Sequence, residues 1–451
     1  MKTLPPFSSI VFGAFGHLAG KSIYPSLFKL AELGRLNEDF QLVGFGRTKK
    51  NTDEFQEYVQ KSIKQIYPKA KEATIEKFLS KCSYICGEYD RPEGFFTLDK
   101  NLENSPTCTK KKIYYFAVPS STYKSIISNL GSSMKSTNCA ELLFEKPFGL
   151  SEADARDLYF YILRYFTESQ VYIIDHYLAK SGVMNILFLR EANRLLSHVL
   201  RGKEIAHIEI ESFEKSGIGE RGGYFDAVGL IKDMIQSHLM SIFALATMNV
   251  PIEKSAKSIQ REKISILNAL RVMEDVSLKT GQYKSYLNEK DVPKTSTIET
   301  FASFRLHLDL EEWCDTDILI TAGKNMKEDV SRIIFTLKSL PFEKQSNRVI
   351  FEIKPEPKLI LQIVAKSIHG EKFETRDLFI ETPVACYEDD CLPEHTKIFE
   401  HLLMNNHLYF VNIHEAFASW KIIDEVMTHV KKPFIYKDGS TLKEIYNKHG
   451  R

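Results

Sequence analysis

The stretch Ser9-Ile10-Val11-Phe12-Gly13-Ala14-Phe15-Gly16-His17-Leu18-Ala19-Gly20 decides how the first part of this chain folds. Four strand-forming residues run into a turn with glycines at positions 13, 16 and 20, and a helix follows that ends near Gly34. Glycines let the backbone approach a phosphate, and a helix start supplies N–H groups and positive dipole. The spacing is not GxGxxG, so the turn alone is equally consistent with close helix–sheet packing.

The second predicted strand, Gln41–Phe45, ends in Gly46-Arg47-Thr48-Lys49-Lys50. Dinucleotide-binding folds that use NAD keep a carboxylate at this place for the ribose hydroxyls, whereas a guanidinium favours a 2'-phosphate. A solvated basic strand end is the plainer interpretation. Because Arg47 occurs together with the glycine turn, the sequence favours NADP over NAD as the cofactor.

The order of predicted elements indicates two domains. In the first third, apolar runs at 113–118, 141–144 and 171–174 alternate with amphipathic segments, which is typical of a parallel, doubly wound sheet. Beyond about Lys180, helices precede many alternating strands, which indicates an α+β half with a large, mostly antiparallel sheet. The strands predicted there are 204–213, 300–308, 317–321, 331–337, 349–353 and 358–364. We therefore expect an N-terminal Rossmann domain over residues 1–178 and a C-terminal α+β domain over residues 179–451.

Composition narrows the class of protein. The 451 residues are 43% hydrophobic and 26% charged with a net charge of +1, as in an ordinary globular protein without a field that attracts nucleic acid. No apolar run reaches the roughly 20 residues of a membrane helix. Seven scattered cysteines without a CxxC pair suggest neither a disulfide framework nor a metal site, and favour the cytoplasm. They are Cys82, Cys86, Cys108, Cys139, Cys314, Cys386 and Cys391.

Five stretches, in order and at compatible spacing, resemble the signature of the glucose-6-phosphate dehydrogenase family. They are the glycine turn continued to Ile23-Tyr24-Pro25, Glu145-Lys146-Pro147-Phe148-Gly149, Ile174-Asp175-His176-Tyr177-Leu178-Ala179-Lys180, Glu220-Arg221-Gly222-Gly223-Tyr224-Phe225-Asp226 and Ile231-Lys232-Asp233-Met234-Ile235-Gln236-Ser237-His238-Leu239. The resemblance extends from Ile10 to about Tyr436 and is dense to about Pro251.

The resemblance implies a reaction and a set of ligands. Glucose 6-phosphate would be oxidised at C1 to 6-phosphogluconolactone by NADP, the first step of the oxidative pentose phosphate pathway. The C-terminal domain would bind the substrate and a partner subunit in a homodimer or homotetramer. The residues that the resemblance places at the cofactor are Gly13, Ala14, Phe15, Gly16, His17, Leu18, Arg47, Tyr123 and Lys146.

The resemblance also assigns the chemical roles. His238 would be the general base and Asp175 the carboxylate that orients it. Oxidation of a hemiacetal needs a base for the O1 proton, and an imidazole aligned by a carboxylate suits that task. The residues placed at the sugar phosphate are Lys146, His176, Tyr177, Lys180, Glu214, Asp233 and Lys324. If their segment is helical, His176 and Lys180 share one face.

Each of these residues has a plainer interpretation. His238 stands among apolar residues and is compatible with a core or helix-surface histidine. Asp175 is compatible with a helix N-cap, and Lys146 with a surface pair to Glu145. The functional interpretation is preferred because the motifs occur together.

Several positions depart from the family pattern. Phe15 and His17 replace a small hydroxyl residue and an acid in the glycine turn. Asp329 lies near a position where an arginine is expected, while Lys354 replaces a glutamine and supplies positive charge. These departures keep two alternatives open, an aldose 1-dehydrogenase that uses free glucose and a non-catalytic family member. Glu352 lies where a cation is expected, so we expect no second, structural NADP.

Overall fold

The structure, a computed structural model, describes residues 3–103, 111–134, 137–273, 278–339, 345–366, 373–380 and 392–450. The chain forms two compact units. The first contains Met1–Gly149, Ala153–Ala179 and Leu392–Ile413, and the second contains Leu150–Glu152, Lys180–Cys391 and His414–Arg451. The sequence placed residues 392–413 in the domain 179–451, whereas they pack in the first unit.

The described strands are, in chain order, β1 (Phe7–Phe12), β2 (Gln41–Gly46), β3 (Cys82–Cys86), β4 (Lys111–Phe116), β5 (Ala140–Glu145), β6 (Val171–Ile174), β7 (Ile205–Phe213), β8 (Leu270–Val272), β9 (Lys279–Tyr283), β10 (Phe301–Leu308), β11 (Asp317–Gly323), β12 (Val330–Leu337), β13 (Arg348–Lys354), β14 (Lys358–Lys366), β15 (Phe373–Ile380), β16 (Phe410–Val411) and β17 (Phe434–Tyr436).

The described α-helices are α1 (Tyr24–Glu32), α2 (Thr52–Ile66), α3 (Glu72–Leu79), α4 (Glu93–Glu103), α5 (Tyr123–Ser133), α6 (Glu152–Ile162), α7 (Ser181–Ala192), α8 (Arg194–Val199), α9 (Gly222–Val228), α10 (Met240–Thr247), α11 (Ala256–Ala269), α12 (Glu394–Leu403), α13 (Ile413–Met427) and α14 (Leu442–His449). Two π-helical segments, Ala19–Ile23 and Ile231–Leu239, precede α1 and α10.

The sheet of the first unit has the strand order β3-β2-β1-β4-β5-β6-β16. All neighbouring strands are parallel except β16, which pairs antiparallel with β6. Strand β1 is buried along its whole length because helices cover the sheet, so its residues are apolar or small. The order reverses between β1 and β4, and in doubly wound sheets ligands bind at that point beyond the carboxyl ends of the strands.

The sheet of the second unit runs β15-β14-β13-β12-β7-β11-β10-β9-β17 through the described residues, with β8 paired to β10. Pairing is antiparallel except between β7 and β11 and between β9 and β17. In the register of β7 with β11, Phe213 faces Gly323. The residues that follow these two strands therefore leave the sheet side by side.

The predicted fold class is confirmed: a Rossmann-type sheet is followed by a mostly antiparallel sheet. The sequence did not predict β3, β8, β9, β15, β16 or β17. No helix in the described part of the chain has the length and apolar composition needed to cross a bilayer. Free thiols are present at Cys82, Cys86, Cys139 and Cys314, and Cys108, Cys386 and Cys391 lie outside the described residues.

Candidate active site

The glycine turn follows β1 at the switch point of the first sheet. Gly13 has a φ of 84°, and a Cβ there would lie 2.3 Å from the carbonyl oxygen of Ala117, so the position requires glycine. The hydroxyl of Tyr24 donates to the carbonyl of Ala14 at 2.6 Å, and that of Tyr58 to Gly16 at 3.1 Å. The N–H groups of Gly13 and Ala14 donate to the carbonyl of Phe45, and that of Gly16 donates to the carbonyl of Gly13. The helix that follows begins at His17, and a helix start provides N–H groups and positive dipole of the kind that binds a pyrophosphate.

The end of β2 carries the predicted cation. Arg47 is exposed, and its guanidinium lies 5.5 Å from the ring centre of Tyr89. The Tyr84 hydroxyl fixes the loop, since it contacts the carbonyl oxygens of Gly46 at 2.9 Å and Thr48 at 2.7 Å. A glycine turn and a guanidinium at these two strand ends form a donor set that fits a dinucleotide.

Tyr123 begins α5, just beyond the carboxyl end of β4. Its side chain is 4% exposed and packs edge-on against Phe116 at 5.3 Å. Tyr123 therefore lies on the carboxyl side of the sheet, where this fold binds its ligands.

Lys146 and Asp175 follow β5 and β6, which are neighbouring parallel strands. Lys146 Nζ lies 3.2 Å from Asp175 Oδ2, and the two side chains are 4% and 0% exposed. Glu145 instead contacts Tyr115 and His395. The alternative interpretation of Lys146 as a surface partner of Glu145 is therefore wrong, because Lys146 is buried and its ammonium pairs with Asp175.

The segment after β6 is a turn. Asp175 Oδ1 accepts a hydrogen bond from the Tyr177 N–H at 2.9 Å, while α7 begins only at Ser181, with Lys180 as its N-cap residue. The helix N-cap interpretation of Asp175 is wrong for this reason. The helical face proposed for His176 and Lys180 is wrong too, since the residues between them form turns.

In the second unit, the π-helical segment Ile231–Leu239 carries two predicted residues. Asp233 and His238 are 8% and 7% exposed. Asp233 Oδ1 accepts a hydrogen bond from Arg221 at 2.9 Å. Glu299 anchors the start of the segment by accepting from the Ile231 N–H at 3.1 Å, and burial raises the pKa of its carboxyl group.

The ends of β7 and β11 bring Glu214 and Lys324 together. Lys324 Nζ lies 2.6 Å from Glu214 Oε2. The backbone N–H of Glu214 donates to the carbonyl of Gly323, and Tyr436 donates to the carbonyl of Lys324 at 2.6 Å. A carboxylate and an ammonium held at neighbouring strand ends provide an acceptor and donors for a polar ligand.

Asp329 and Lys354 form an ion pair of 2.7 Å between the start of β12 and the end of β13. The carboxylate that departs from the family pattern is thus compensated by the cation that also departs from it. Glu352 lies on β13 two residues before Lys354, and its Oε1 is 4.0 Å from Lys358 Nζ.

Sequence reasoning missed the partners that hold these groups. Arg221 belongs to one of the five family motifs, but nothing in its spacing indicated that it pairs with Asp233. No sequence pattern indicated the roles of Glu299 and Tyr84, because each side chain bonds to backbone groups that are distant in the sequence. Conversely, all predicted site residues lie in the described parts of the chain.

The first unit has a parallel sheet with a glycine turn after β1 and a buried lysine–aspartate pair after β5 and β6. A second unit with a mostly antiparallel sheet follows it. This combination is typical of a dinucleotide-binding oxidoreductase. Residues 10–185 match the glucose-6-phosphate dehydrogenase NAD binding domain, and residues 187–448 match the C-terminal domain of the same enzyme. The chain belongs to the glucose-6-phosphate dehydrogenase family.

Individual relatives agree with this assignment. The chain is 31% identical to glucose-6-phosphate 1-dehydrogenase of Cyberlindnera jadinii, over 94% of this chain and 88% of the relative. It is 30% identical to the cytoplasmic isoform of Solanum tuberosum, over 96% and 89%. A solved glucose-6-phosphate dehydrogenase in complex with its substrate glucose-6-phosphate superposes with a TM-score of 0.88 at 27% identity, over 100% and 99%.

Proposed function

We propose that this protein oxidises glucose 6-phosphate at C1 to 6-phosphogluconolactone, with NADP as the cofactor. The observation that carries the proposal is the buried pair Lys146–Asp175 beside His176 and Tyr177, at the carboxyl edge of a dinucleotide-binding sheet. The chain aligns with most of the length of relatives that are named glucose-6-phosphate 1-dehydrogenase, and this similarity supports the same reaction.

The oxidation removes two species from the sugar, the proton of the O1 hydroxyl and a hydride from C1. We assign to His238 the proton of the O1 hydroxyl, and to Asp175 the orientation of the imidazole and the stabilisation of its charged form. As the O1–H bond breaks, the electrons form the C1=O bond of the lactone and the C1–H bond is broken. The nicotinamide, when bound, accepts the hydride.

Other residues bind the sugar. Lys146 donates to the sugar while it compensates Asp175, and Asp233 and Glu214 accept from ring hydroxyls. The two acceptors are already paired in the folded protein, Asp233 with Arg221 and Glu214 with Lys324. Ion pairing prepares the acceptors before the substrate arrives, which lowers the cost of orienting it.

The 6-phosphate is assigned to His176, Tyr177 and Lys180. An imidazole, a phenol and an ammonium supply several donors and positive charge to a dianion. This remote contact would supply binding energy for placing C1. The case for a dehydrogenase of free glucose rested on Asp329 and Phe15. The ion pair of Asp329 with Lys354 supports a site without net negative charge at that position.

The test is a comparison of glucose 6-phosphate with glucose, each with NADP and NAD, for wild type and Lys180→Ala. We expect wild type to prefer the phosphate, and the variant to lose about 10- to 100-fold in kcat/KM for glucose 6-phosphate, with little change for glucose. Lys203→Ala, an exposed lysine of the second unit, is the control. Equal use of both sugars by wild type would favour the aldose dehydrogenase, and no turnover of either would favour a non-catalytic member.

The preference for NADP is assigned to Arg47. Arg47→Ala should raise KM for NADP well above any change in KM for NAD, because only NADP carries the 2'-phosphate that the guanidinium binds. Equal losses with both cofactors would remove this assignment.

The assembly and location follow the family as well. We propose a homodimer or homotetramer formed through the second unit, and a cytoplasmic location, as the name of the potato isoform states for that relative. Sedimentation analysis of the purified protein measures the assembly directly.

A further inference from the structure

Phe15 lies in the glycine turn, and its side chain belongs to an aromatic cluster. Its ring packs against Phe55 at 5.8 Å, Tyr58 at 5.2 Å and Tyr84 at 5.1 Å. Phe55 is fully buried and Tyr84 is 9% exposed, while Phe15 itself is only partly buried. One side of the ring therefore packs against the cluster, and the other side is accessible to residues of the loop after β2.

That loop places a cation on the Phe15 ring. Lys50 Nζ lies 5.0 Å from the ring centre, within the range of a cation–π contact. The backbone N–H of Lys50 donates to the carbonyl of Thr48 at 2.8 Å, and the Tyr84 hydroxyl contacts the same carbonyl oxygen. Both ends of the contact are thus held, since Tyr84 packs on Phe15 and bonds to the loop.

The other partner of Lys50 is weaker. Glu54 Oε1 lies 4.0 Å from Lys50 Nζ, and the two side chains are 40% and 44% exposed. Glu54 is also engaged in a capping box with Asn51, where its carboxylate accepts from the Asn51 N–H at 2.9 Å. A solvated pair at this distance contributes little to the position of the ammonium.

The position of the ammonium gives it a function. In dinucleotide-binding folds the glycine turn faces the pyrophosphate and the end of the second strand faces the adenosine ribose. With a cofactor bound in this way, an ammonium over the Phe15 ring would lie near both the turn and the 2' position of that ribose. Arg47, on the same loop, lies over a second ring, that of Tyr89, at 5.5 Å.

We propose that Phe15 is a specificity-determining residue for the cofactor, which acts by holding the Lys50 ammonium where it binds the 2'-phosphate together with Arg47. The Lys50 ammonium in this way adds a second cation to the one that Arg47 supplies. This inference rests on the proposed use of NADP and deepens it, since it names how the 2'-phosphate is distinguished from a hydroxyl.

Calorimetric binding of 2',5'-ADP and 5'-AMP tests the proposal without turnover, because the two probes differ only by the 2'-phosphate. Lys50→Ala should weaken 2',5'-ADP by about 10-fold and leave 5'-AMP unchanged. Phe15→Leu, which keeps the apolar packing, should weaken 2',5'-ADP by about 2- to 5-fold, the effect of a cation–π contact at an exposed site. Phe15→Tyr keeps a ring and should retain wild-type affinity.

A double-mutant comparison separates this role from packing. Adding Phe15→Leu to Lys50→Ala should cause no further loss, whereas adding it to Lys49→Ala, a neighbouring exposed lysine, should cause its full loss. Additive effects of Phe15→Leu and Lys50→Ala, or equal losses for both probes, would overturn the proposal and leave the use of NADP intact. If wild type binds both probes equally, the 2'-phosphate assignment itself fails.

Discussion

Asp175 and Asp233 are buried carboxylates, and each pairs with a basic residue, Asp175 with Lys146 and Asp233 with Arg221. A buried carboxylate is costly unless it is paired, so these two contacts stabilise the folded protein. The sequence predicted Lys146 and Asp175 as site residues, because each lies in a family motif directly after a predicted strand. It did not predict Arg221 as a partner, because pairing depends on how the π-helical segment is oriented.

His238→Asn should lower kcat by roughly 10²- to 10⁴-fold and leave cofactor binding largely unchanged, since it removes a positioned base but keeps a side chain of similar shape. Asp175→Asn should act in the same direction. Steady-state kinetics and calorimetry measure the two effects, and His198→Asn, an exposed histidine on α8, is the control. Near wild-type kcat in His238→Asn would show that another group takes the proton.

At the scale of elements, helices α10, α11 and α13 share a buried ion pair. Lys263 Nζ lies 2.7 Å from Glu415 Oε1, with side chains 2% and 1% exposed, and Ser241 donates to the same oxygen at 3.3 Å. Helix α10 directly continues the segment that carries His238. Sequence patterns predict the amphipathic faces of such helices, but they do not predict a charged pair in the interface, which becomes visible only when the helices pack.

Lys263→Met should destabilise the protein by about 3–5 kcal/mol, because Glu415 would remain buried without its cation. The double variant Lys263→Met/Glu415→Leu should recover most of that loss, since no charge is then buried. Unfolding in urea measures both, with the exposed Lys257→Met on α11 as the control. A double variant as unstable as the single one would show that packing volume, not charge, is decisive.

Helix α12 gives a prediction on pH. Its His401 ring stacks on Tyr409 with 3.6 Å between ring centres, and burial, with Lys397 and Arg35 nearby, lowers the pKa of His401 to about 4. The unfolded chain binds this proton near pH 6.5, whereas the folded protein does not bind it above about pH 4. Stability contributed at this position is therefore present above about pH 6.5 and is lost as the pH falls towards 4.

His401→Gln should remove that part of the pH dependence, because glutamine does not titrate. The check is the melting temperature at pH 7.5 and pH 5 for wild type, His401→Gln and the exposed control His429→Gln. An unchanged drop between the two pH values in His401→Gln would place the titrating group elsewhere.

For the whole molecule, the alternation of elements was enough to predict two sheets of different kinds. It was not enough to predict that Leu392–Ile413 belongs to the first unit. In this segment, β16 is only two residues long and α12 resembles any amphipathic helix, so no local pattern indicates which core it joins. Ile398, Phe399 and Leu402 are nonetheless part of the apolar core that includes Phe28.

A fragment of residues 1–178 should consequently be poorly soluble, because it exposes the edge of β6 and the apolar surface that α12 covers. A fragment in which residues 392–413 are joined to it by a flexible linker should be monomeric and cooperative in unfolding. Size-exclusion chromatography and thermal melts compare the two. A well-behaved short fragment would show that α12 and β16 are dispensable for this unit.

The late return of the chain also sets the timing of biosynthesis. Roughly 210 residues separate Ala179 from Leu392, and at about 5–20 residues per second a ribosome needs roughly 10–40 s to translate them. During that interval the nascent Rossmann sheet lacks its last strand and one of its covering helices. Chaperones that bind exposed apolar surface on growing chains would therefore meet this protein before its nucleotide-binding unit is complete.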